Sequence, residues 1–389
     1  MNITANIIGV GLAQLEIRQD RIGAVRRSGP DDPTQPFASP GFVDIQINGF
    51  AGIDFSASAL DPEEAISVLP AIWKTGVTSF CPTLITNSIE QLERNFRVLE
   101  EARRMDARFA ASVPGYHLEG PYLSPGKSRG AHDPALMHAP DWDEFARLQK
   151  AAGGNISVVT VAPELPGACD FIRRACTAGL VVSISHADAT PEQIHRAVEA
   201  GATLSTHLGN GCSEYIHRHQ NALWPQLASA RLKASLICDG FHLPPDLVRV
   251  AYRMKGDDGC VLITDAIHAA TLPPGRYSLV GQEVELLPTG QVVAADRRAM
   301  AGSTLSMPRA VSVFMEFAQA SLEQAVRAAT HNPGTLLNRD EVCAELTEGQ
   351  IANLILFNPR KESIEVVAVL LQGKVVYASS AGAGLDTGY

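Results

Sequence analysis

Eight short apolar runs decide how this chain folds: VDIQIN (Val43–Asn48), VTSFCPT (Val77–Thr83), GYHLE (Gly115–Glu119), SVVTVAPE (Ser157–Glu164), VVSISH (Val181–His186), TLSTH (Thr203–His207), ASLICD (Ala234–Asp239) and VLITD (Val261–Asp265). Each has strand length and a β-rich composition, and stretches of helical character separate them, the signature of a repeated βα unit. Asp61-Pro62-Glu63-Glu64 and Thr190-Pro191-Glu192-Gln193 carry helix-start signals: a capping residue, an early proline and early carboxylates. Gly76, Gly179 and Gly201 stand where such helices should stop. Eight strands alternating with helices predict an α/β fold, a closed (β/α)8 TIM-like barrel, because right-handed crossovers lead naturally to closure. A doubly wound open sheet is the alternative topology.

Outside the barrel, assigned to residues 40–344, both chain ends look β-like. IIGVGLAQLEI lies on one side, and IANLILFN and VAVLLQGKVVYA lie on the other. Residues 1–39 and 345–389 are each too short for a core of their own, so they are expected to pair into one small β-sandwich domain. Pro273-Pro274-Gly275 and the alternating runs RYSLVG and EVELLP predict a hairpin inserted after the eighth strand, near 272–296.

Of the 389 residues 46% are hydrophobic and only 19% charged, which excludes a natively disordered chain. The net charge of −10, with no basic run, speaks against nucleic acid as a partner. The N-terminus has no secretion signal, and no window approaches the ~18 apolar residues of a membrane span, so a cytoplasmic protein is expected. Seven scattered cysteines without a C-x-x-C pair fit reduced thiols in that compartment.

The chemistry sits at the ends of the runs. Glu119, His186, His207, Asp239 and Asp265 close five of them. In a barrel these C-terminal strand ends meet at one mouth, where active sites form. Two neutral imidazoles and a carboxylate, with water in a fourth position, make a catalytic zinc shell. Glu119, His186 and His207 are therefore the candidate metal ligands, although Glu119 could instead cap the Gly120-Pro121 turn. Asp265 is placed to move a proton between bound water and a leaving nitrogen. His138, His195 and His331 read as structural, with His195 on a helix surface.

In the order PGFVDIQING (Pro40–Gly49), PTLIT (Pro82–Thr86), HLEGPYL (His117–Leu123), GAHDP (Gly130–Pro134), SHADAT (Ser185–Thr190), STHLGN (Ser205–Asn210), DGFH (Asp239–His242), LITDA (Leu262–Ala266) and GSTLSM (Gly302–Met307), the chain resembles the N-acetylglucosamine-6-phosphate deacetylase family of the amidohydrolase superfamily. The resemblance implies hydrolysis of the N-acetyl group of N-acetylglucosamine 6-phosphate to acetate and glucosamine 6-phosphate. It assigns the metal to Glu119, His186 and His207 and the general acid/base role to Asp265. It gives His132 a contact with the sugar or the acetyl carbonyl. Asn210, Gly211, Arg218 and His242 would hold the sugar and phosphate, and Met300, Ala301 and Gly302 the acyl side. It also implies a homodimer in which Arg218 reaches the neighbour's site.

The chain departs from superfamily patterns in three places. Gln46-Ile47-Asn48 replaces a His-x-His pair, leaving Gln46 and Asn48 as degenerate second-metal positions, and the fourth run lacks a lysine that could bridge two ions. One divalent ion is expected, zinc first, with iron or another divalent ion as alternatives. The loop His217-Arg218-His219-Gln220-Asn221 keeps the arginine in changed surroundings, with His217 and His219 as further substrate contacts. An unphosphorylated or epimeric N-acetylhexosamine therefore stays open. So does another amide hydrolase on the same barrel, which HLEGP disfavours. A binding protein that has lost turnover is disfavoured by the joint presence of Glu119, His186, His207 and Asp265.

Overall fold

All eight runs form strands of one parallel sheet, with neighbours in chain order: Phe42–Ile47, Val77–Ile85, Tyr116–Glu119, Ile156–Val161, Val181–Ile184, Leu204–Ser205, Lys233–Ile237 and Cys260–Ile263. The computed structural model describes residues 1–295, 299–339, 342, 345–360 and 362–382. Asp296 of the predicted insertion, Cys343 and residues 383–389 of the predicted terminal domain lie outside these. Beyond the eighth strand the sheet returns to the first. The Asp265 amide donates to Gln46 O (3.0 Å), the Asn48 amide donates to Ala266 O (2.8 Å), and Ile47 bridges Ala266. The sheet is thus a barrel rather than an open sheet.

The strands are buried on both faces, as a barrel enclosed by helices requires. All nine residues of Val77–Ile85 are buried, and Phe80 packs against Phe55 and Phe109 outside the sheet. Helix signals act as read. Asp61 caps Pro62–Ser67 by accepting from the Glu64 amide, and Thr190 with Gln193 forms a capping box for Pro191–Ala200. His195 is exposed on that helix. Gly201, at φ 120°, ends it in a conformation that disfavours residues with a Cβ.

Both chain ends join one seven-stranded sheet. Phe37–Pro40 is the joint, parallel to Asn2–Ile7 on one side and antiparallel to Leu354–Asn358 on the other. The sheet curls around an apolar face that includes Ile3, Leu15, Leu354 and Leu370. Its distant parts meet where the Ala352 amide donates to Asp20 O (2.7 Å) and the Ile22 amide to Gln350 O (2.8 Å). The insertion has three antiparallel strands rather than two: Gly275–Leu279, Gln282–Leu286 and Val292–Ala294. The third spans only three residues, too few to show a period of two. The described cysteines are all free thiols, and no described helix is long and apolar enough to cross a membrane.

Asp44 fastens the barrel closure from inside. Its buried carboxylate accepts from Thr264 Oγ1 (2.5 Å), the Thr264 amide (3.3 Å) and the Gln46 amide (3.2 Å), tying the first strand to the eighth. Burial pushes this carboxyl up to about 7 despite those hydrogen bonds. The folded state therefore holds the Asp44 proton more tightly than the unfolded chain does. The resulting stabilisation is complete below about pH 4 and is lost as pH rises through 7. In urea denaturation series, the stability of the native chain relative to Asp44→Asn should fall steadily between those limits. A difference independent of pH would reject this role.

Candidate active site

Three of the strand-end residues carry an unusual backbone. His186, His207 and Asp265 lie at φ 45°, 32° and 49°, the left-handed region that side chains other than glycine seldom adopt. Surrounding hydrogen bonds hold them there. Ser235 Oγ accepts from the His207 amide (2.8 Å), and Gln46 O accepts from that of Asp265 (3.0 Å).

Glu119 Oε1 lies 3.0 Å from His207 Nε2 and 3.5 Å from His186 Nε2, and one ligand atom from each of the three residues falls within 4.8 Å of the others. All three side chains are buried. His186 Nδ1 lies 2.9 Å from Ser128 O, a pure acceptor, so that nitrogen carries a hydrogen and the ring is oriented with Nε2 toward Glu119. His207 Nδ1 is 3.4 Å from Ser185 Oγ. Although burial favours the protonated carboxyl, hydrogen bonds from His186 and His207 hold Glu119 well below its usual range. A buried anion facing two imidazoles calls for a cation. This donor set fits one divalent metal with a coordination position left over.

Asp265 stands beside this group. Its Oδ1 accepts from Asn48 Nδ2 (2.7 Å) and Gln46 Nε2 (3.2 Å), and the same Gln46 nitrogen is 3.0 Å from Glu119 Oε1. The two positions expected only as remnants of a second metal site are thus amide donors that hold two carboxylates in place. Burial and the charge of Glu119 push Asp265 up to about 6, against the pull of His207. His132 Nδ1 lies 2.8 Å from Thr86 Oγ1, and its ring packs against His186 at 4.6 Å. Burial and the neighbouring imidazole hold His132 down to about 3, so it is neutral at ordinary pH.

These groups open into a cavity of about 1300 Å³ that Asn48, His132, Asn210, His242, Met300 and Gly302 also line. Asp239, the fifth strand-end residue, turns away to fix His242, whose Nδ1 is 2.6 Å from Asp239 Oδ2. Gly211 sits behind the ligands, where a Cβ would come within 2.0 Å of Ser185 Oγ. Ala301 is buried and anchors the segment by donating to Val292 O (3.2 Å). His217, Arg218 and His219 are exposed and do not line the cavity of their own chain. Sequence reasoning missed two parts of the wall. Leu279, Gln282 and Glu283 of the insertion line it, attached through an apolar cluster with Ile85 and Ile267, and so does the segment from Gly126 to Arg129 that leads into the anticipated His132.

The model of the amidohydrolase family matches residues 37–376. N-acetylglucosamine-6-phosphate deacetylase of Bos taurus is 35% identical over 87% of this chain and 83% of its own length. The chain belongs to the amidohydrolase family, in its N-acetylglucosamine-6-phosphate deacetylase branch. N-acetylgalactosamine-6-phosphate deacetylase of Escherichia coli O157:H7 is 31% identical, with 86% of each chain covered. Among solved structures, the Mycobacterium smegmatis N-acetyl-D-glucosamine-6-phosphate deacetylase in complex with N-acetyl-D-glucosamine-6-phosphate has a TM-score of 0.87 at 30% identity, covering 97% of this chain and 99% of that one. Amidohydrolases depend on a metal, and the buried Glu119, His186 and His207 form a site of the required kind. In this amidohydrolase, His186→Ala should lose bound metal and activity together, measured by elemental analysis beside turnover. A fully metallated, active variant would remove His186 from the ligand set.

Proposed function

We propose that this chain hydrolyses N-acetylglucosamine 6-phosphate to glucosamine 6-phosphate and acetate. The observation that carries the reading is Asp265, held by Asn48 and Gln46 at the edge of the Glu119, His186 and His207 cluster, on a scaffold shared with deacetylases. Glu119, His186 and His207 would hold one divalent ion, zinc first, which when bound polarises the amide oxygen and acidifies a water. Asp265 takes the proton of the attacking water as its oxygen bonds to the acetyl carbon. It then returns a proton to the nitrogen as the carbon–nitrogen bond breaks, which leaves acetate and a free amine. In the tautomer in which Nδ1 accepts from the Thr86 hydroxyl, His132 carries its hydrogen on Nε2 and donates it to the acetyl oxygen, the role we assign it. Asn210 and His242 contact the sugar, with Gly211 backing His186 and His207, and Met300 and Gly302 shape the acyl side with Ala301 anchoring the segment.

The functional unit we infer is a homodimer, with Arg218 serving the neighbour's site and His217 and His219 beside it. Tyr215, at 86% the most exposed large apolar residue among those described, and half-exposed Trp224 flank that loop in sequence, as expected of a surface covered in an assembly. We assign catalysis to the barrel of residues 40–344 and a supporting role to the sheet of 1–39 with 345–389. Free thiols and a phosphorylated substrate both fit the cytoplasm.

Acetate release from metal-loaded protein tests the reading. N-acetylglucosamine 6-phosphate should be the preferred substrate over its galactosamine epimer and the unphosphorylated sugar, and inactivity on all three would overturn the proposal. Asp265→Asn should keep its metal while turnover falls roughly 10²–10⁴-fold, the usual cost of losing a general acid/base. Unaltered turnover would exclude Asp265 from the reaction. Tyr215→Glu should shift the protein from dimer to monomer in sedimentation velocity, and an unchanged dimer would place the interface elsewhere.

A further inference from the structure

We propose that Lys127 and Arg129 of the chain's own cavity wall form a binding site for the substrate's phosphate. This rests on the reading of the substrate as a sugar phosphate. Lys127 and Arg129 are the only Lys or Arg residues lining the cavity among the described residues, and neither has a described ion pair or side-chain hydrogen bond. The same wall carries Glu119, Asp133, Glu214, Asp265 and Glu283. A phosphate monoester, with about −1.5 to −2 charges at neutral pH, would be repelled there unless cations met it. A guanidinium offers a bidentate fork to phosphate oxygens and an ammonium offers a compact charge, and both pair strongly with phosphate.

The segment holds these cations in place from within. Ser128, between them, is buried, and its carbonyl oxygen is the atom 2.9 Å from His186 Nδ1. Lys127 and Arg129 flank it on the exposed side. At Gly126 a Cβ would lie 2.3 Å from Asp188 Oδ2, and at Gly130, φ 60°, it would lie 3.0 Å from His186 Cε1. The chain is therefore pressed against Asp188 on one side of the cation pair and against the metal ligand His186 on the other. Phosphate binding here would steady the same segment that orients His186. Arg218, by contrast, is exposed and outside its own chain's cavity. Lys127 and Arg129 supply phosphate recognition that does not depend on a second subunit.

The test uses the metal-loaded full chain and three variants: Lys127→Ala with Arg129→Ala, Lys127→Arg with Arg129→Lys, and Arg218→Ala. The readouts are kcat and KM on N-acetylglucosamine 6-phosphate and on N-acetylglucosamine, metal content, and calorimetric binding of glucosamine 6-phosphate. The double alanine variant should lose roughly 10–100-fold of the preference for the phosphorylated sugar, mainly through KM, with metal retained, as expected for losing charge-assisted contacts. The charge-conserving exchange should restore most of it. A double alanine variant that keeps the full preference, or a native chain that does not discriminate between the two sugars, would overturn the inference. If the native chain binds glucosamine 6-phosphate through these residues and releases no acetate from either sugar, the deacetylase reading fails and the phosphate site stands.

Discussion

The closure between the first and eighth strands is the constraint on which the site depends. Glu119, His186 and His207 come from strands spread around the sheet, and Asp265 ends its last strand. Only when that last strand returns to the first do Gln46 and Asn48 come within reach of Asp265. The seam is made polar by Asp44 and Thr264 below and by two side-chain amides above, where a barrel interior is usually filled with branched apolar residues. Each amide group donates to a carboxylate oxygen, so the seam that holds the fold together also sets the spacing of Glu119 and Asp265.

The charges in the mouth form a second constraint. Glu119 and Asp265 are buried close enough to influence each other, and protein interiors tolerate such a pair only with compensation. Gln46 donates to both, His186 and His207 face Glu119, and a metal held by these three residues would supply the remaining positive charge. His132, kept neutral by burial and by its imidazole neighbour, adds a hydrogen-bond donor without adding to that charge. The supporting hydroxyls and carbonyls, Thr86, Ser128 and Ser185, come from three separate segments between the strands.

The barrel was legible because strand length and a polar residue at the strand end recur eight times, with β-branched residues in every run but GYHLE. Glu119, His186, His207 and Asp265 were legible for the same reason: an ionisable group closing an apolar run must sit at a rim. What was not legible depends on tertiary placement. Val292–Ala294 is too short to show a period, and the alternation in RYSLVG and EVELLP says nothing about which face of the barrel the strands cover. Gln46 and Asn48 were readable as the absence of histidines, but their part as donors to Glu119 and Asp265 appears only when the sheet closes. Asp239 looked equivalent to the other rim residues until His242, three positions on, claimed its carboxylate. Lys127 and Arg129 gave no signal at all, since two cations in a glycine-containing loop are ordinary surface composition.

The left-handed backbone at His186, His207 and Asp265 narrows the set of amino acids that variation can sample at the centre of the site. Asparagine, aspartate, histidine and glycine enter this region at little cost, whereas β-branched residues enter it only under strain. A randomised library at these three positions would therefore return folded members drawn from a short, mostly polar alphabet. Several of its letters can themselves ligate a metal or carry a proton. The backbone thereby biases the scaffold toward exchanging one metal or one proton chemistry for another, and away from an inert apolar mouth.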